Sequence, residues 1–240
     1  MRRQWLGDDH DVRKYCLLKF LSDALKKVNI PFNLLINWMP TGDENLNCPE
    51  CYEKLVSAIR GFKTIEQMSE LLCAQGLPHL SFPSSDQKDW SDCVIQGQNT
   101  FVFFDPNTGI EANTIKKGEE NNYLYYDEIS TTYNCRNVRG ILIYQHAIRA
   151  GKNGESKSTA QKRNIREKID SLHNRNLPEP LIFLGCNKQN KKNEFCFEEA
   201  YILIIKEDAP IDEIKNAFPR TFQKDFLELV EDNKYFEKQP

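Results

Sequence analysis

Residues 101–111 read FVFFDPNTGIE, in which four strand-forming residues lead directly into an acid, a proline, an asparagine and a glycine. With Thr100, the apolar run has the length and composition of a strand that is buried on both faces of a sheet. The acid that follows, Asp105, is open to two interpretations. It is a functional carboxylate at the end of a strand, or it is the first residue of an ordinary Asp-Pro-Asn-Thr-Gly turn.

Outward from this stretch, the chain alternates between apolar runs and segments with helical spacing. The apolar runs predict further strands at 32–39, 141–146, 181–186 and 195–206. We expect helices at 8–28, 50–60, 64–74, 84–96 and 122–134, one that begins within 151–164 and ends near 173, and two more at 210–217 and 219–231.

This alternation predicts an α/β fold with a doubly wound, mostly parallel, Rossmann-like sheet that helices cover on both faces. The strands at 33–38, 100–104 and 141–145 should be parallel neighbours, and 181–186 should extend the same sheet. The short separation of the last two apolar runs predicts a hairpin, which adds a C-terminal antiparallel strand.

The composition is that of a folded protein, with 240 residues of which 40% are hydrophobic and 11% aromatic. No repeat or linker divides the chain, so we expect a single α/β domain over 1–240 with a helical insertion near 49–96.

No apolar run approaches the roughly 20 residues that span a bilayer. The N-terminal segment turns acidic where a signal peptide is apolar, which predicts a cytoplasmic protein without a membrane partner. The oligomeric state is left open.

The charge distribution bears on nucleic acid as a partner. A net charge of −3 argues against attraction of nucleic acid by the whole molecule, but it leaves room for a local basic groove. Solvated helix and loop surface is the alternative interpretation of the same basic residues. The candidates for such a groove are Lys152, Lys157, Lys162, Arg163, Arg166, Lys188, Lys191 and Lys192.

Eight cysteines are scattered through the chain, and most lie in or beside apolar segments, as small hydrophobic residues do. Cys48 and Cys51 form a CxxC pair that can supply two thiolates to zinc. No second CxxC or close Cys/His pair accompanies them. Two free thiols in a loop are the alternative.

Polar residues cluster where the predicted strands end. If the strands at 100–104 and 141–145 are adjacent, Asp105 lies beside Gln145 and His146. Glu111 and Glu128 belong to the connection between those strands and are expected to fold over the same end. Two or more acids, an amide and an imidazole at one edge support metal binding, proton transfer or hydrogen bonding to an amino group.

The segment GDDHDVRKY at 7–15, followed by an apolar helix and a strand, resembles the opening of the adenine-N6 methyltransferases that modify large-subunit ribosomal RNA. Their pattern, G-N-H-A-D-V-L-K-H, shares Gly7, Asp11, Val12 and Lys14 in identity and spacing. FFDPNTG lies where those enzymes carry Asp-Pro-Pro-Tyr, the motif that holds the target amino group. The resemblance implies a methyltransferase-like sheet and a catalytic Asp105.

The resemblance also implies partners for other residues. S-adenosylmethionine would lie over Asn37, Trp38, Thr41 and Gly42, while Asp11, Lys14 and Arg149 would contact a nucleic-acid substrate. The chain departs from the family in two places. NWMPTGDE at 37–44 has one glycine where the family has a glycine-rich turn, and Asn107 and Thr108 replace the second proline and the aromatic residue.

The whole set of motifs is also similar to a family of bacterial proteins without an assigned activity. Their shared pattern runs GDxxDxxKY, WxxTx(D/E), FFDP(D/N)xGIE and YQHxxR. The matching residues here are Trp38, Thr41, Asp105, Glu111, Gln145, His146 and Arg149.

Three functions remain open on these grounds. The first is a nucleic-acid-modifying enzyme, with adenine-N6 methyl transfer as its reaction. The second is a metal-dependent nuclease of a bacterial defence system, in which Asp105 with Glu111 or Glu128 binds Mg or Mn and His146 is the base or a phosphate ligand. The third is a non-catalytic module that mediates assembly.

Overall fold

The architecture is known from a computed structural model that describes residues 9–30, 33–37, 100–106, 108–112, 123–148, 154–185, 188–189, 195–206, 211–222, 226–230 and 236. The helices expected at 50–60, 64–74 and 84–96, the insertion near 49–96 and the Cys48/Cys51 pair lie outside these residues. No helix within them is both long enough and apolar enough to cross a membrane.

The described residues form four helices and a main sheet of six strands. The helices are α1 (Asp9–Lys27), α2 (Tyr126–Asn134), α3 (Lys157–His173) and α4 (Ile211–Thr221). The strands of the main sheet are β1 (Asn33–Asn37), β2 (Thr100–Phe104), β5 (Val138–His146), β6 (Leu181–Gly185), β9 (Glu199–Ile205) and β10 (Leu227–Val230). Two small ribbons complete the described strands: β3 (Gly109–Ile110) with β4 (Tyr123–Leu124), and β7 (Lys188–Gln189) with β8 (Phe195–Cys196).

The main sheet has the strand order β1-β2-β5-β9-β6-β10. The predicted parallel neighbours are confirmed, because β1 pairs with β2 and β2 pairs with β5, both in parallel. The predicted antiparallel pairing of 181–186 with the following apolar run is also confirmed, since β6 pairs with β9.

The prediction of a mostly parallel, doubly wound, Rossmann-like sheet is wrong. Three of the five pairings in the main sheet, β5–β9, β9–β6 and β6–β10, are antiparallel. The hairpin returns β9 into the sheet between β5 and β6, where it separates two strands that would otherwise pair in parallel. An apolar run that is buried on both faces has the same composition at any central position of a sheet. The sequence pattern therefore does not reveal that β9 lies between β5 and β6.

The expected helix at 219–231 is also wrong, because α4 ends at Thr221 and β10 follows as a strand at Leu227–Val230. Leu227 and Leu229 are buried on one face of the sheet, and Glu228 between them is half-buried. A four-residue strand is too short for its alternating pattern to outweigh the helical spacing of its neighbours.

Helices cover both faces of the sheet, as expected. Alternate residues of each strand point to opposite faces, so Phe103 packs in one core with α1 and α4 while Phe104 packs in a second core with α2 and α3. Helix α1 is enclosed around most of its circumference, since every residue from Asp11 to Leu18 is buried. Polar residues in that stretch therefore need partners inside the protein.

Replacing Ile202 by alanine tests the central position of β9. Ile202 is fully buried and pairs with Ile143 on one side and Ile182 on the other. The cavity should lower the free energy of unfolding by about 2–5 kcal/mol, measured by urea denaturation. The control, Ile211→Ala at the half-buried start of α4, should cost clearly less. Equal losses in the two variants would contradict the central placement of β9.

Candidate functional site

Two consecutive cations of α1, Arg13 and Lys14, are fully buried and serve two different groups of acids. Successive residues of a helix point about 100° apart around its axis, so neighbours in sequence contact different strands. Lys14 reaches Asp105, which follows β2, and Arg13 reaches Glu199, the first residue of β9. The first turns of α1 thereby join the ends of strands that are far apart in the sequence.

The Lys14 ammonium lies between two aspartates. Its Nζ is 2.9 Å from a carboxylate oxygen of Asp105 and 3.3 Å from Oδ1 of Asp11, and it lies 4.2 Å from the centre of the Tyr144 ring. The Lys14, Asp11 and Asp105 side chains are all fully buried. Asp105 is thus more than a turn former, because its carboxylate belongs to a buried ion pair.

Arg13 is held by a second acidic group. Its Nε donates to Oε1 of Glu199, and its Nη2 donates to Oε2 of Glu199 at 3.0 Å and to Oε2 of Glu198 at 2.9 Å. Tyr201 donates its hydroxyl to Oε1 of Glu199 at 3.2 Å, and His10 contacts the other oxygen through Nδ1. Each carboxylate oxygen of Glu199 therefore has at least two polar neighbours.

These contacts shift the pKa values of the groups involved. Burial alone would raise the pKa of Glu199, but the charges and hydrogen bonds of Arg13 and His10 hold it well below its ordinary value of 4.5. Burial would likewise lower the pKa of Arg13, yet the Glu199 charge raises it. Burial and the same carboxylate raise the pKa of the Tyr201 hydroxyl. Glu199 and Arg13 are therefore an ionised pair at every moderate pH.

Arg13 and its partners His10, Glu198, Glu199 and Tyr201 are called the Arg13 group below. This group contains atoms of the kind that bind metal ions. Within the described residues, His10, Glu198 and Glu199 are the set of three whose ligand atoms lie within 4.8 Å of one another. Nη2 of Arg13, however, lies 3.2 Å from Nδ1 of His10 and about equally close to the two carboxylates. The guanidinium nitrogen thus fills the position that an ion would take, and the set does not fit a resident metal while Arg13 is in place.

The expected metal ligands Asp105 and Glu111 are not members of that set. Lys14 already supplies a positive charge to Asp105, and Glu111 accepts a hydrogen bond from the backbone N–H of Tyr126 at 2.8 Å. Both acids are engaged by donors of the protein itself. The contacts of these two residues give no support to a shared Mg or Mn ion.

His146 lies beside both groups. The Tyr144 hydroxyl is 3.2 Å from Nδ1 of His146, and the rings of His146 and His10 meet edge to face with centroids 5.9 Å apart. Because Tyr144 also lies under the Lys14 ammonium, residues of the three motifs at 7–15, 101–111 and 144–149 are in one continuous set of contacts.

Gln145 holds the backbone that follows Asp105. Its Oε1 accepts from the N–H of Ile110 at 2.8 Å, and its Nε2 donates to the carbonyl oxygen of His146 at 2.9 Å and approaches that of Thr108 at 3.5 Å. Gly109 has φ of +106°, and a Cβ there would collide with the Gln145 amide. The glycine of DPNTGIE is therefore required by both the backbone conformation and this close approach.

Two of the predicted acids stabilise the start of α2. Glu111 binds the N–H of Tyr126, and Glu128 accepts from the N–H of Tyr125 at 2.9 Å. Both carboxylates satisfy backbone donors that the helix itself leaves without acceptors, and their charge suits that end of the helix dipole.

Lys168 of α3 reaches the same segment from the other side. Its Nζ donates to the carbonyl oxygen of Ile110 at 3.1 Å and contacts that of Glu111. Burial lowers the pKa of Lys168 to about 8, against the smaller opposing effects of the charges on Glu167 and Glu111. Among the described residues, no carboxylate lies within ion-pair distance of this ammonium.

Several of these residues were missed by the sequence reasoning. Arg13 and Lys168 each interrupt the apolar face of a buried helix, which is the signal that marks them. His10, Glu198, Glu199 and Tyr201 gave no such signal, because their partners are distant in sequence; Arg13 and Glu199 are 186 positions apart.

Some predicted residues cannot be assigned to this site. Trp38, Thr41, Gly42 and Arg149 lie outside the described residues, and only the backbone of Asn37 is described, at the end of β1. Since β1 and β2 are parallel with Asn37 opposite Phe104, that strand end lies beside Asp105.

The predicted basic groove is partly described. Arg163 pairs with Glu155 at 3.1 Å and Glu167 at 2.8 Å, and Arg166 pairs with Asp170 at 2.9 Å. These arginines are neutralised within α3 and its N-terminal approach, which favours a solvated helix surface. Lys152, Lys191 and Lys192 lie outside the described residues, and of Lys188 only the backbone is described.

Comparison of the chain with protein-family models and with curated proteins found no match.

Glu199→Gln tests the Arg13 group. The substitution leaves a buried guanidinium without its main counter-charge, so the free energy of unfolding at pH 7 should fall by about 3–5 kcal/mol. Because the folded-state pKa of Glu199 lies below 4.5, the ionised carboxylate stabilises the fold above that pH and loses its contribution as the pH falls. Denaturation curves of wild type and variant should therefore converge progressively below about pH 4.5.

The matched control is Asp23→Asn. Asp23 pairs with Lys19 on the outer side of α1, and its side chain is 42% exposed. This change should cost less than about 1 kcal/mol. A loss of that size in Glu199→Gln as well would show that Arg13 does not depend on Glu199.

Divalent metals provide a separate test. Because Arg13 occupies the position among His10, Glu198 and Glu199, saturating Mn²⁺ or Zn²⁺ should change the melting temperatures of the wild-type protein and of Glu198→Gln equally. A ligand stabilises only a state that binds it. A metal-dependent rise that disappears in Glu198→Gln would overturn the assignment of that position to Arg13.

Proposed function

We propose that the protein is a nucleic-acid-modifying enzyme that acts on an exocyclic amino group of a base, with adenine-N6 methyl transfer as its reaction. Asp105 is the acceptor for that amino group, and Lys14 keeps the carboxylate ionised and fixed. His146 is a half-buried imidazole of the same contact set, with its ring centre 4.9 Å from that of Tyr144.

One observation carries the proposal. Lys14 of the first motif and Asp105 of the second form a fully buried ion pair, although they are 91 positions apart. The resemblance to known families places Lys14 and Asp105 in shared motifs on the basis of sequence alone. Their contact in the fold is an independent reason to treat them as one functional unit. A buried ion pair contributes little net stability to a fold, since apolar residues of similar volume often stabilise it as much or more.

The position of Asp105 supports the same conclusion. It directly follows β2, and β1 and β5 are parallel neighbours of β2. The three carboxyl ends therefore meet at one edge, which is where parallel strands place ligands. A buried, ionised carboxylate at this edge is suited to accept a hydrogen bond from an amino group.

The buried position of Lys14 bears on its role. With Nζ held by Asp11 and Asp105, its charge acts on the carboxylate, and contact with a phosphate group is not needed to explain it. S-adenosylmethionine is the methyl donor that the resemblance implies, and it would supply an electrophilic methyl group. Apart from the backbone of Asn37, the residues expected to hold it lie outside the described part of the chain.

The nuclease interpretation has less support. It needs a divalent ion at Asp105 and Glu111, and both carboxylates are already engaged by Lys14 and by the Tyr126 N–H respectively. Bringing an ion to Asp105 would place a second positive charge beside a buried ammonium, which is electrostatically unfavourable.

The direct test is methyl transfer from S-adenosylmethionine carrying a tritiated methyl group to RNA and DNA, with the modified nucleoside identified by mass spectrometry. Asp105→Asn keeps the side-chain volume but removes the charge, and should lower kcat at least about 100-fold. The matched control, Asp23→Asn, makes the same chemical change at a partly exposed ion pair and should leave the rate unchanged.

Circular dichroism of Asp105→Asn must show a folded protein for the loss to count. Full activity in that variant would contradict the assigned role of Asp105. Cleavage of the nucleic acid that depends on Mg²⁺, without methyl transfer, would contradict the proposed reaction and favour the nuclease. The absence of both methyl transfer and cleavage, with RNA and with DNA, would favour a non-catalytic module.

A further inference from the structure

The segment that follows Asp105 is held by polar side chains from two separate elements. Gln145 of β5 accepts from the N–H of Ile110 at 2.8 Å, and Lys168 of α3 donates to its carbonyl oxygen at 3.1 Å. Both backbone groups of one residue are thus bound by side chains. The neighbouring Glu111 N–H donates to the carbonyl oxygen of Leu124 at 2.9 Å, which adds a third restraint.

We propose that Lys168 is a positioning residue: together with Gln145 it clamps the backbone of 108–111 and thereby fixes the Asp105 carboxylate against Lys14. The part that concerns catalysis rests on the proposed function, whereas the clamp itself does not.

Three features of Lys168 support this role. It lies on the buried face of α3 beside Ile165, Ile169 and Leu172, where an apolar side chain would be expected. A buried ammonium that has no acid partner among the described residues is costly. The hydrogen-bond acceptors of Lys168 are backbone carbonyls of DPNTGIE. The buried ammonium therefore binds the motif that carries Asp105.

The clamp can act on Asp105 because only two residues separate it from the clamped segment 108–111. Pro106 follows Asp105 directly and fixes one backbone dihedral angle, and the buried Gly109 at φ of +106° is pressed against the Gln145 amide. Movement of 108–111 would therefore be transmitted to the end of β2.

Burial is the main cause of the lowered pKa of Lys168, and the charges of the neighbouring acids oppose it. Glu167 precedes it on α3, Glu111 faces it from the end of β3, and Tyr126 of α2 lies with its ring centre 5.8 Å from Nζ. With a folded-state pKa of about 8 against 10.5, the unfolded state binds more protons between these values. The contribution of Lys168 to the free energy of unfolding should therefore rise with pH across that window.

The test is hydrogen–deuterium exchange of the full chain in wild type, Lys168→Met and the control Lys157→Met, whose side chain is exposed at the start of α3. Lys168→Met should raise the exchange of the Ile110 and Glu111 amides roughly tenfold while the amides of Ile165 and Ile169 keep their protection. Lys157→Met should change neither. Unchanged exchange at 110–111, or an equal rise throughout the domain, would overturn the clamp.

A second measurement covers the case in which Lys168→Met does not fold. In wild-type protein labelled with ¹³C at lysine Cε, one resonance should titrate near pH 8, and it should be absent in Lys168→Gln. Titration of every lysine above pH 10 would contradict the buried position of the Lys168 ammonium.

The catalytic part has its own readout. If methyl transfer is found, Lys168→Met should lower kcat with little change in KM, and Lys168→Arg, which keeps a charged donor, should recover part of the loss. A local rise in exchange together with no activity in the wild type would retain the clamp and reject the proposed function. A local rise with unchanged kcat would show that the clamp does not position Asp105.

Discussion

The buried ion pair between Lys14 and Asp105 is the constraint on which the arrangement of this molecule depends. Two charges without access to water must lie together, so α1 has to dock with its first turns over the carboxyl end of β2. The same docking brings Arg13 to Glu199 at the start of β9, and it brings Tyr144 under the Lys14 ammonium. Two cations lie on consecutive residues of α1, and their acidic partners lie at the ends of strands that are distant in the sequence. These pairs together specify one position of the helix, which apolar packing alone would specify less strictly.

Part of this could be predicted from the sequence. Apolar runs located β1, β2, β5 and β6, and their order along the chain indicated that the first three are parallel neighbours. The position of β9 between β5 and β6 could not be predicted, because a strand buried on both faces carries no sign of which strands flank it. Asp105, Gln145 and His146 were identified as polar ends of strands, but their roles differ in ways that only three-dimensional contacts reveal: Gln145 binds backbone, whereas Asp105 binds an ammonium.

The acids of the site also show why residue type alone did not decide between a metal ligand and a hydrogen-bond acceptor for an amino group. Asp105 with Glu111 suggested a cation site, and a cation is indeed present at Asp105, but it is a side chain of the protein. A second acidic set, His10 with Glu198 and Glu199, likewise surrounds Arg13. Both cations come from adjacent positions of α1, so one helix supplies the fixed positive charge at both groups of acids.

The most direct test of this account is a double-mutant cycle between Lys14 and Asp105. The free energy of unfolding is measured for wild type, Lys14→Met, Asp105→Asn and the double variant. We expect Lys14→Met to leave the buried carboxylates of Asp11 and Asp105 without their cation, and Asp105→Asn to leave Lys14 with Asp11 alone. The double variant should be more stable than the sum of the two losses predicts, with a coupling energy of about 2 kcal/mol or more. Losses that add to within about 0.5 kcal/mol would show that the two charges do not interact, and the site proposed here would then have no physical basis.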